Sequence, residues 1–376
     1  MGHRGVRLRS AAVIAAIICG LATLCGLVTL VPPQRYEVDG LSMAPGLLPG
    51  DVVATAWCPL LDRLRRPQRH ERWILAASDG TPAIKRVVGL PGETVSIQDG
   101  DLAIGGRTVL TPPHVLAQVA SSVAEASIAS AADAASDDGW QRTVSMPRVL
   151  DDAACAPAER RMLLPVRDVG LAAVIRIRES PASSVSATAS ASATVSASPS
   201  VGVRVRVRVR VGGFVIPWQI KAAGRYGLIA GRLDGHLVGA VWPLEDGDGR
   251  PEHHHSCLPP LPPTTWDVAQ PWPEGIGPEA DAAPPSLGLR LDDAGLDDAG
   301  LDATGGAGRD KADALIEQVV VWRDLLHRPA ADGVVEWRLG PGAFLVLGDF
   351  PSGSRDSRHW DPLDRAALRS RAMPVP

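Results

Sequence analysis

Residues 11–31, AAVIAAIICGLATLCGLVTLV, run for 21 positions without a charged side chain. A helix of that length crosses the ~30 Å hydrocarbon core of a bilayer. Lipid offers backbone groups no hydrogen-bond partners, so a lone spanning segment must be helical. Arg4, Arg7 and Arg9 precede the run. A short basic flank stays in the cytoplasm, which places Pro32 onward outside. A cleaved signal peptide is the rival reading. Its apolar core would be shorter, and Pro32-Pro33-Gln34-Arg35-Tyr36 offers no small-x-small cleavage site. The expectation is a single-pass protein of the cell (inner or plasma) membrane, with residues 1–10 cytoplasmic, 11–31 transmembrane and the rest extracytoplasmic.

Beyond the anchor, short apolar runs alternate with Gly and Pro punctuation. Asp51–Trp57 and Ala83–Leu90 read as strands, and Pro91-Gly92 is a turn. Thr94–Ile97 and Leu102–Ile104 flank Gln98-Asp99-Gly100-Asp101, where Asp-Gly is a hairpin signal. Val334–Leu339 and Ala343–Leu347 are again strand-like. These stretches predict an all-β catalytic domain in two parts, 34–107 and 331–376. Between them, 108–330 reads as a long insertion with flexible, partly disordered linkers. Ser183–Ser200 is almost pure Ser, Ala, Thr and Val, and Pro251–Pro285 is rich in proline. Ordered islands are expected at 214–244 and at 312–326, the latter with helical spacing. Val203–Val211 alternates Val and Arg. It is either one amphipathic strand with its arginines on one face, a membrane-surface or polyanion contact, or a low-complexity expansion.

The 38 basic residues include only three lysines, Lys85, Lys221 and Lys311. Arginine keeps its proton in a protein, whereas a buried lysine can lose it. Lys85 lies in the most apolar stretch, Ala83-Ile84-Lys85-Arg86-Val87-Val88-Gly89, and Arg86 should leave the strand on the opposite face. A neutral lysine is a candidate general base, and its natural partner is a serine, because a hydroxyl is a weak nucleophile until a base takes its proton. Ser42 fits, in the turn Gly40-Leu41-Ser42-Met43. Gly40 lets a substrate carbonyl approach, and the Ser42 N–H is a candidate oxyanion donor. The bland alternative for Lys85 is a salt-bridged surface residue.

At this point the chain resembles the type I signal peptidases, membrane-anchored Ser-Lys proteases. That family's nucleophile segment, Ser-Met-x-Pro-Thr-Leu-x-x-Gly-Asp, is similar to Ser42-Met43-Ala44-Pro45-Gly46-Leu47-Leu48-Pro49-Gly50-Asp51, with Gly46 in place of threonine. Its lysine segment, Lys-Arg-x-x-Gly-x-Pro-Gly-Asp/Glu-x-Val, is matched from Lys85 to Val95. Its third segment, Gly-Asp-Asn-x-x-x-Ser-x-Asp-Ser-Arg, is met by Gly348, Asp349, Ser354, Asp356, Ser357 and Arg358. Phe350 replaces the asparagine, and Pro351 stands where arginine is common. The resemblance implies a coiled β-sheet fold with Ser42 as nucleophile and Lys85 as general base. Ser354 would orient the lysine amine, Asp356 and Arg358 would brace the site as an ion pair, and Met43 would line it. It also implies preproteins with signal peptides as substrates, cut after small residues at −1 and −3, and membrane lipid as a neighbour. The chain stops soon after the third segment, so the closing strand is expected to be absent or supplied from elsewhere, with 226–244 as a candidate.

Two other readings stay open: a self-cleaving Ser-Lys protease, and a membrane-anchored scaffold that keeps the fold without the activity. Net charge of −4 gives no case for nucleic-acid binding. No cofactor and no metal are expected. His253-His254-His255 with Cys257 lacks a second ligand cluster, and the repeated Leu-Asp-Asp-Ala-Gly of 291–301 lacks the calcium-loop pattern. Five cysteines do not make a disulfide framework in a chain this long.

Overall fold

The structure is a computed structural model. It describes residues 19–20, 33–55, 62, 64–77, 80–123, 127–130, 140–145, 150–151, 164–178, 205–245, 256–260, 262–272, 286–293, 313–329 and 335–375. Within the expected anchor only Cys19 and Gly20 are described, and both are helical. Among the described residues no helix is long and apolar enough to cross a membrane. The linker at 183–200, the three histidines and most of the acidic repeat lie outside the described residues.

A seven-stranded sheet carries the motif residues. Its order is β1 (Arg35–Glu37), β2 (Val52–Thr55), β24 (Leu368–Pro374), β3 (Arg72–Ala76), β4 (Pro82–Gly89), β22 (Ala343–Leu347) and β23 (Leu363–Asp364). A four-stranded sheet packs beside it, ordered β21 (Glu336–Arg338), β5 (Thr94–Gln98), β6 (Asp101–Ile104) and β7 (Arg107–Thr108). Val88, Leu345 and Leu347 on the large sheet meet Val95, Ile97, Leu102, Trp337 and Leu339 in one buried cluster. Val87, Val346 and Phe344 join Trp73, Leu75 and Leu368 in another. Strands with apolar residues on both faces are expected in a sheet covered on both sides. The β5–β6 turn has φ of 53° at Asp99 and 101° at Gly100. Two successive positive φ values are what a two-residue hairpin loop needs, hence Asp-Gly there.

The closing strand is present and comes from the chain's own late residues. β24 pairs with β2 on one side and β3 on the other. The strands at 226–244 belong to a different sheet, so that expectation is corrected.

Between the two motif-bearing parts lies more regular structure than the composition suggested. A six-stranded sheet runs β18 (Val268–Pro271), β17 (His236–Leu244), β16 (Gly224–Leu233), β13 (Val169–Arg178), β20 (Asp313–Arg323) and β8 (Ser121–Ser122). A five-stranded sheet runs β15 (Phe214–Ile220), β14 (Val205–Val211), β19 (Leu287–Asp293), β10 (Arg142–Ser145) and β9 (Ser127–Ser130). β11 (Leu150–Asp151) and β12 (Leu164–Pro165) form a small pair. The Val-Arg alternation is strand β14: Val205, Val207, Val209 and Val211 are buried in a core shared by the two larger sheets. Its arginines are half-buried on the other face, with Arg208 3.0 Å from Asp292 and Arg210 stacked over Trp140. The helical expectation at 312–326 is overturned for Asp313–Arg323, which form β20. Pairing with β13 along its length outweighs local spacing.

One short helix, α1 (Pro113–Val119), connects these layers to the motif-bearing sheets. Proline suits its first turn, where the N–H has no intrahelical partner. Leu116, Ala117 and Val119 pack with Ile229, Val238 and Trp322 of the six-stranded sheet. Replacing fully buried Leu116 by Ala should cost about 2–5 kcal/mol and lower the midpoint of chemical denaturation. An unchanged midpoint would show that α1 is not docked as described.

Candidate active site

The turn following β1 places Ser42 against the large sheet. Ala44 N–H donates to the Leu41 carbonyl at 2.9 Å, and Leu47 N–H donates to Met43 at 2.9 Å. Met43 and Leu47 are buried with Val38, Val53 and Ile74, which fixes the turn to the core. Met43 is thus an anchor beneath the turn. Ser42 remains half-buried, and Gly40 is exposed with open space around it. The Ser42 carbonyl accepts from the Phe350 N–H at 3.1 Å. None of these bonds uses the Ser42 N–H.

Lys85 lies on β4, 4% exposed, and its Nζ is 2.9 Å from Ser42 Oγ. Burial drives its pKa below the usual lysine range, and Arg358 pushes the same way. Asp356 and Asp349 pull it back up. The surface salt-bridge alternative for Lys85 does not hold, since the amine is buried and faces a hydroxyl.

The third motif stands behind the contact between Ser42 and Lys85. Asp356 is fully buried, 2.7 Å from Arg358 Nη2, and accepts from the Gly348 N–H at 2.9 Å. Burial favours its neutral form, but Arg358 and the Gly348 N–H hold its pKa below the ordinary value. Arg358 also donates to the Pro351 carbonyl at 2.9 Å, so the proline that departs from the motif still serves the brace through its backbone. Phe350 uses its N–H on Ser42, while its ring covers Gly353. Ser354 is buried against Gly348, where any β-carbon would collide with it. Its Oγ does not make the bond to Lys85 that the resemblance implies; it faces the Asp356 carboxylate instead and helps to hold that pKa low.

Sequence reasoning missed a buried charge cluster next to Lys85. Arg86 leaves β4 opposite Lys85 and grips Asp349 with Nε at 2.7 Å and Nη2 at 2.6 Å. Arg72, paired with Arg86 across β3 and β4, reaches the same carboxylate at 3.1 Å. Gln118 of α1 accepts from Arg86 at 3.1 Å. Burial opposes the Asp349 charge, yet the two guanidiniums keep its pKa low. The cluster also accounts for Gly46: a β-carbon there would run into the Arg72 guanidinium and the Gln118 carbonyl. Only the tandem Lys-Arg and Gly-Asp within the motifs could have hinted at this pairing. A cavity behind the cluster, lined among others by His70, Arg86, His327 and Asp349, includes neither Ser42 nor Lys85.

A hydroxyl in contact with a buried amine can serve acyl transfer, with the amine as proton acceptor. The comparisons point to the same class. Residues 8–148 match the family model described as "Signal peptidase, peptidase S26". Over 77 residues the chain is 32% identical to signal peptidase I V of Bacillus subtilis (strain 168), which covers 20% of this chain and 45% of that relative. The chain therefore spans less than half the length of the curated relative it matches. Both findings support the resemblance to type I signal peptidases drawn from the motifs. The segment around Asp349–Arg358 lies outside the matched residues, and it packs against Ser42 all the same.

Replacing Asp349 by Ala would leave Arg72 and Arg86 buried without their counter-charge. Removing one partner of such a cluster costs about 3–5 kcal/mol, to be measured by urea denaturation. The lowered pKa values of Asp349 and Asp356 set the sign of the acid response. Their contribution to stability is present above about pH 4, the unfolded value, and is lost as pH falls through the lower folded values. A stability that rises on acidification below pH 4 would contradict this.

Proposed function

We propose that this protein is a membrane-bound serine endopeptidase that removes N-terminal signal peptides from exported preproteins. The contact of 2.9 Å between Ser42 Oγ and the buried Lys85 amine carries the reading. Ser42 attacks the scissile carbonyl while Lys85 takes its proton. The Ser42 N–H, beside the open backbone of Gly40, receives the developing oxyanion. Lys85 then returns the proton to the leaving amine. Water, activated by the same lysine, hydrolyses the acyl-enzyme.

Asp356 and Arg358 act as positioning residues, holding the Gly348 backbone behind the dyad. Ser354 is buried at the same place, and the resemblance gives it the part of orienting the lysine amine. Met43 seats the nucleophile turn. No cofactor enters the scheme. The apolar run at 11–31 would anchor the chain with residues 1–10 in the cytoplasm and the catalytic sheets on the outer side, where signal peptides emerge. Cleavage after small residues at −1 and −3 follows from the family resemblance.

Ser42→Ala and Lys85→Ala should each abolish cleavage of a model preprotein by the full chain in detergent, with folding checked by circular dichroism. Turnover retained in either variant would sink the mechanism. Activity should rise with pH as Lys85 loses its proton, with the midpoint below the ~10.4 of a free lysine. A rate that falls over that range would exclude lysine as the base.

A further inference from the structure

Gln118 stands in the last turn of α1 and meets the charge cluster beside Lys85 with both its side chain and its backbone. Its Oε1 accepts from Arg86 Nη2 at 3.1 Å, and its main-chain carbonyl accepts from Arg72 Nη2 at 3.5 Å. The same two nitrogens donate to Asp349, at 2.6 Å and 3.1 Å. Carbonyls in the last turn of a helix have no intrahelical N–H to meet them, so an outside donor is expected there. Arg72 is buried, and its Nε and Nη1 have no hydrogen-bond partner among the described residues. Its guanidinium is therefore held by Nη2, between Asp349 and the Gln118 carbonyl.

This cluster borders the Ser42–Lys85 contact from three directions. Arg86 follows Lys85 on β4. Phe350, next to Asp349, donates its N–H to the Ser42 carbonyl at 3.1 Å. Gly46 lies in the Ser42 turn, and a β-carbon there would collide with the Arg72 guanidinium and the Gln118 carbonyl. Where the resemblance has threonine, glycine leaves the room that the end of α1 fills. On its other side α1 belongs to the layers between the motifs, through Leu116, Ala117 and Val119 against the six-stranded sheet. Close-packed interiors transmit small displacements. Gln118 thus joins that sheet to both the Ser42 turn and the Lys85 strand.

We propose that Gln118 is a positioning residue for Ser42 and Lys85, through which the docked six-stranded sheet supports the rate of cleavage. The inference rests on the peptidase reading above. With Gln118 in place, one Nη2 N–H of Arg86 goes to Asp349 and the other to the amide oxygen. Without that oxygen a buried donor is left unmet, which is costly. The guanidinium then turns toward another acceptor, and Asp349 and the segment bonded to Ser42 shift with it. Proton transfer from Ser42 to Lys85 depends on their separation, and a displacement of about 1 Å can cost about a hundredfold in rate. Gln118 works through Arg86 and Arg72 rather than on substrate, so its loss falls on kcat and leaves KM in place.

The test compares Gln118→Met, which keeps the bulk and removes the acceptor, with Gln118→Glu, which keeps an oxygen for Arg86. Both are made in the full chain, held in detergent, and assayed for kcat and KM on a model preprotein. The assays are run well below the melting temperature that circular dichroism gives for each variant. Gln118→Met should lower kcat about tenfold at unchanged KM, and Gln118→Glu should restore kcat to the parent's level. Parent-like kcat in Gln118→Met would overturn the inference alone. So would an equal loss in both variants, or a loss that merely follows the folded fraction, since either would mean that Gln118 only fills space. A parent that cleaves nothing would bring down the peptidase reading and this inference together.

Discussion

The Asp349 carboxylate, clasped by Arg86 and Arg72, ties together segments that are remote in the chain. Arg86 belongs to the lysine strand, Arg72 to its neighbour, and Asp349 to the segment that packs under the Ser42 turn. α1 joins through Gln118, which brings the layers between the motifs into contact with the same charges. A buried carboxylate with two guanidiniums tolerates little displacement, since any loosening leaves an unsolvated ion. The position of Lys85 opposite Ser42 is inherited from that rigidity. Gly46 completes the fit, because a larger residue would take the space of the Arg72 guanidinium.

The electrostatics around Ser42 and Lys85 divide into two roles. Asp349 and Asp356 are each held ionised by arginine partners, so their negative charge is largely spent locally. Lys85 is left with a hydroxyl and burial, and burial is the dominant influence on its proton. Pairing the acids with arginine keeps them from pairing with the lysine. A sheet that used lysine at position 72 or 86 would offer a compact, strongly hydrated charge, readily deprotonated when buried, in place of a fixed two-pronged one.

Much of the site was legible because its signals are local. Ser42, Lys85, Asp356 and Arg358 sit in short segments whose turns and strands are dictated by neighbouring residues, and the Asp99-Gly100 hairpin followed from the dihedrals it demands. What could not be read depends on partners far away. The Asp349 cluster spans 263 residues between Arg86 and the acid. β20 looked helical because its pairing with β13 shifts register between Val174 and Ile175, which breaks the two-residue alternation of a strand. The Val-Arg run needed the apolar faces of two sheets before its valines had a core to enter. Composition alone hid the strands of that region, where Val, Leu, Gly and Ala of the described residues fill narrow sheets.

β24 occupies the middle of the seven-stranded sheet, with β2 and β3 on either flank. Residues 368–374 thus form an interior seam of the sheet. Until the ribosome has delivered that segment, the early strands have no neighbour across the gap. The assembly that holds Ser42 and Lys85 must therefore wait for nearly all of the intervening chain to be made. Such long-range closure is slow, and it delays completion of the sheet around Ser42 until residues 368–374 have been made.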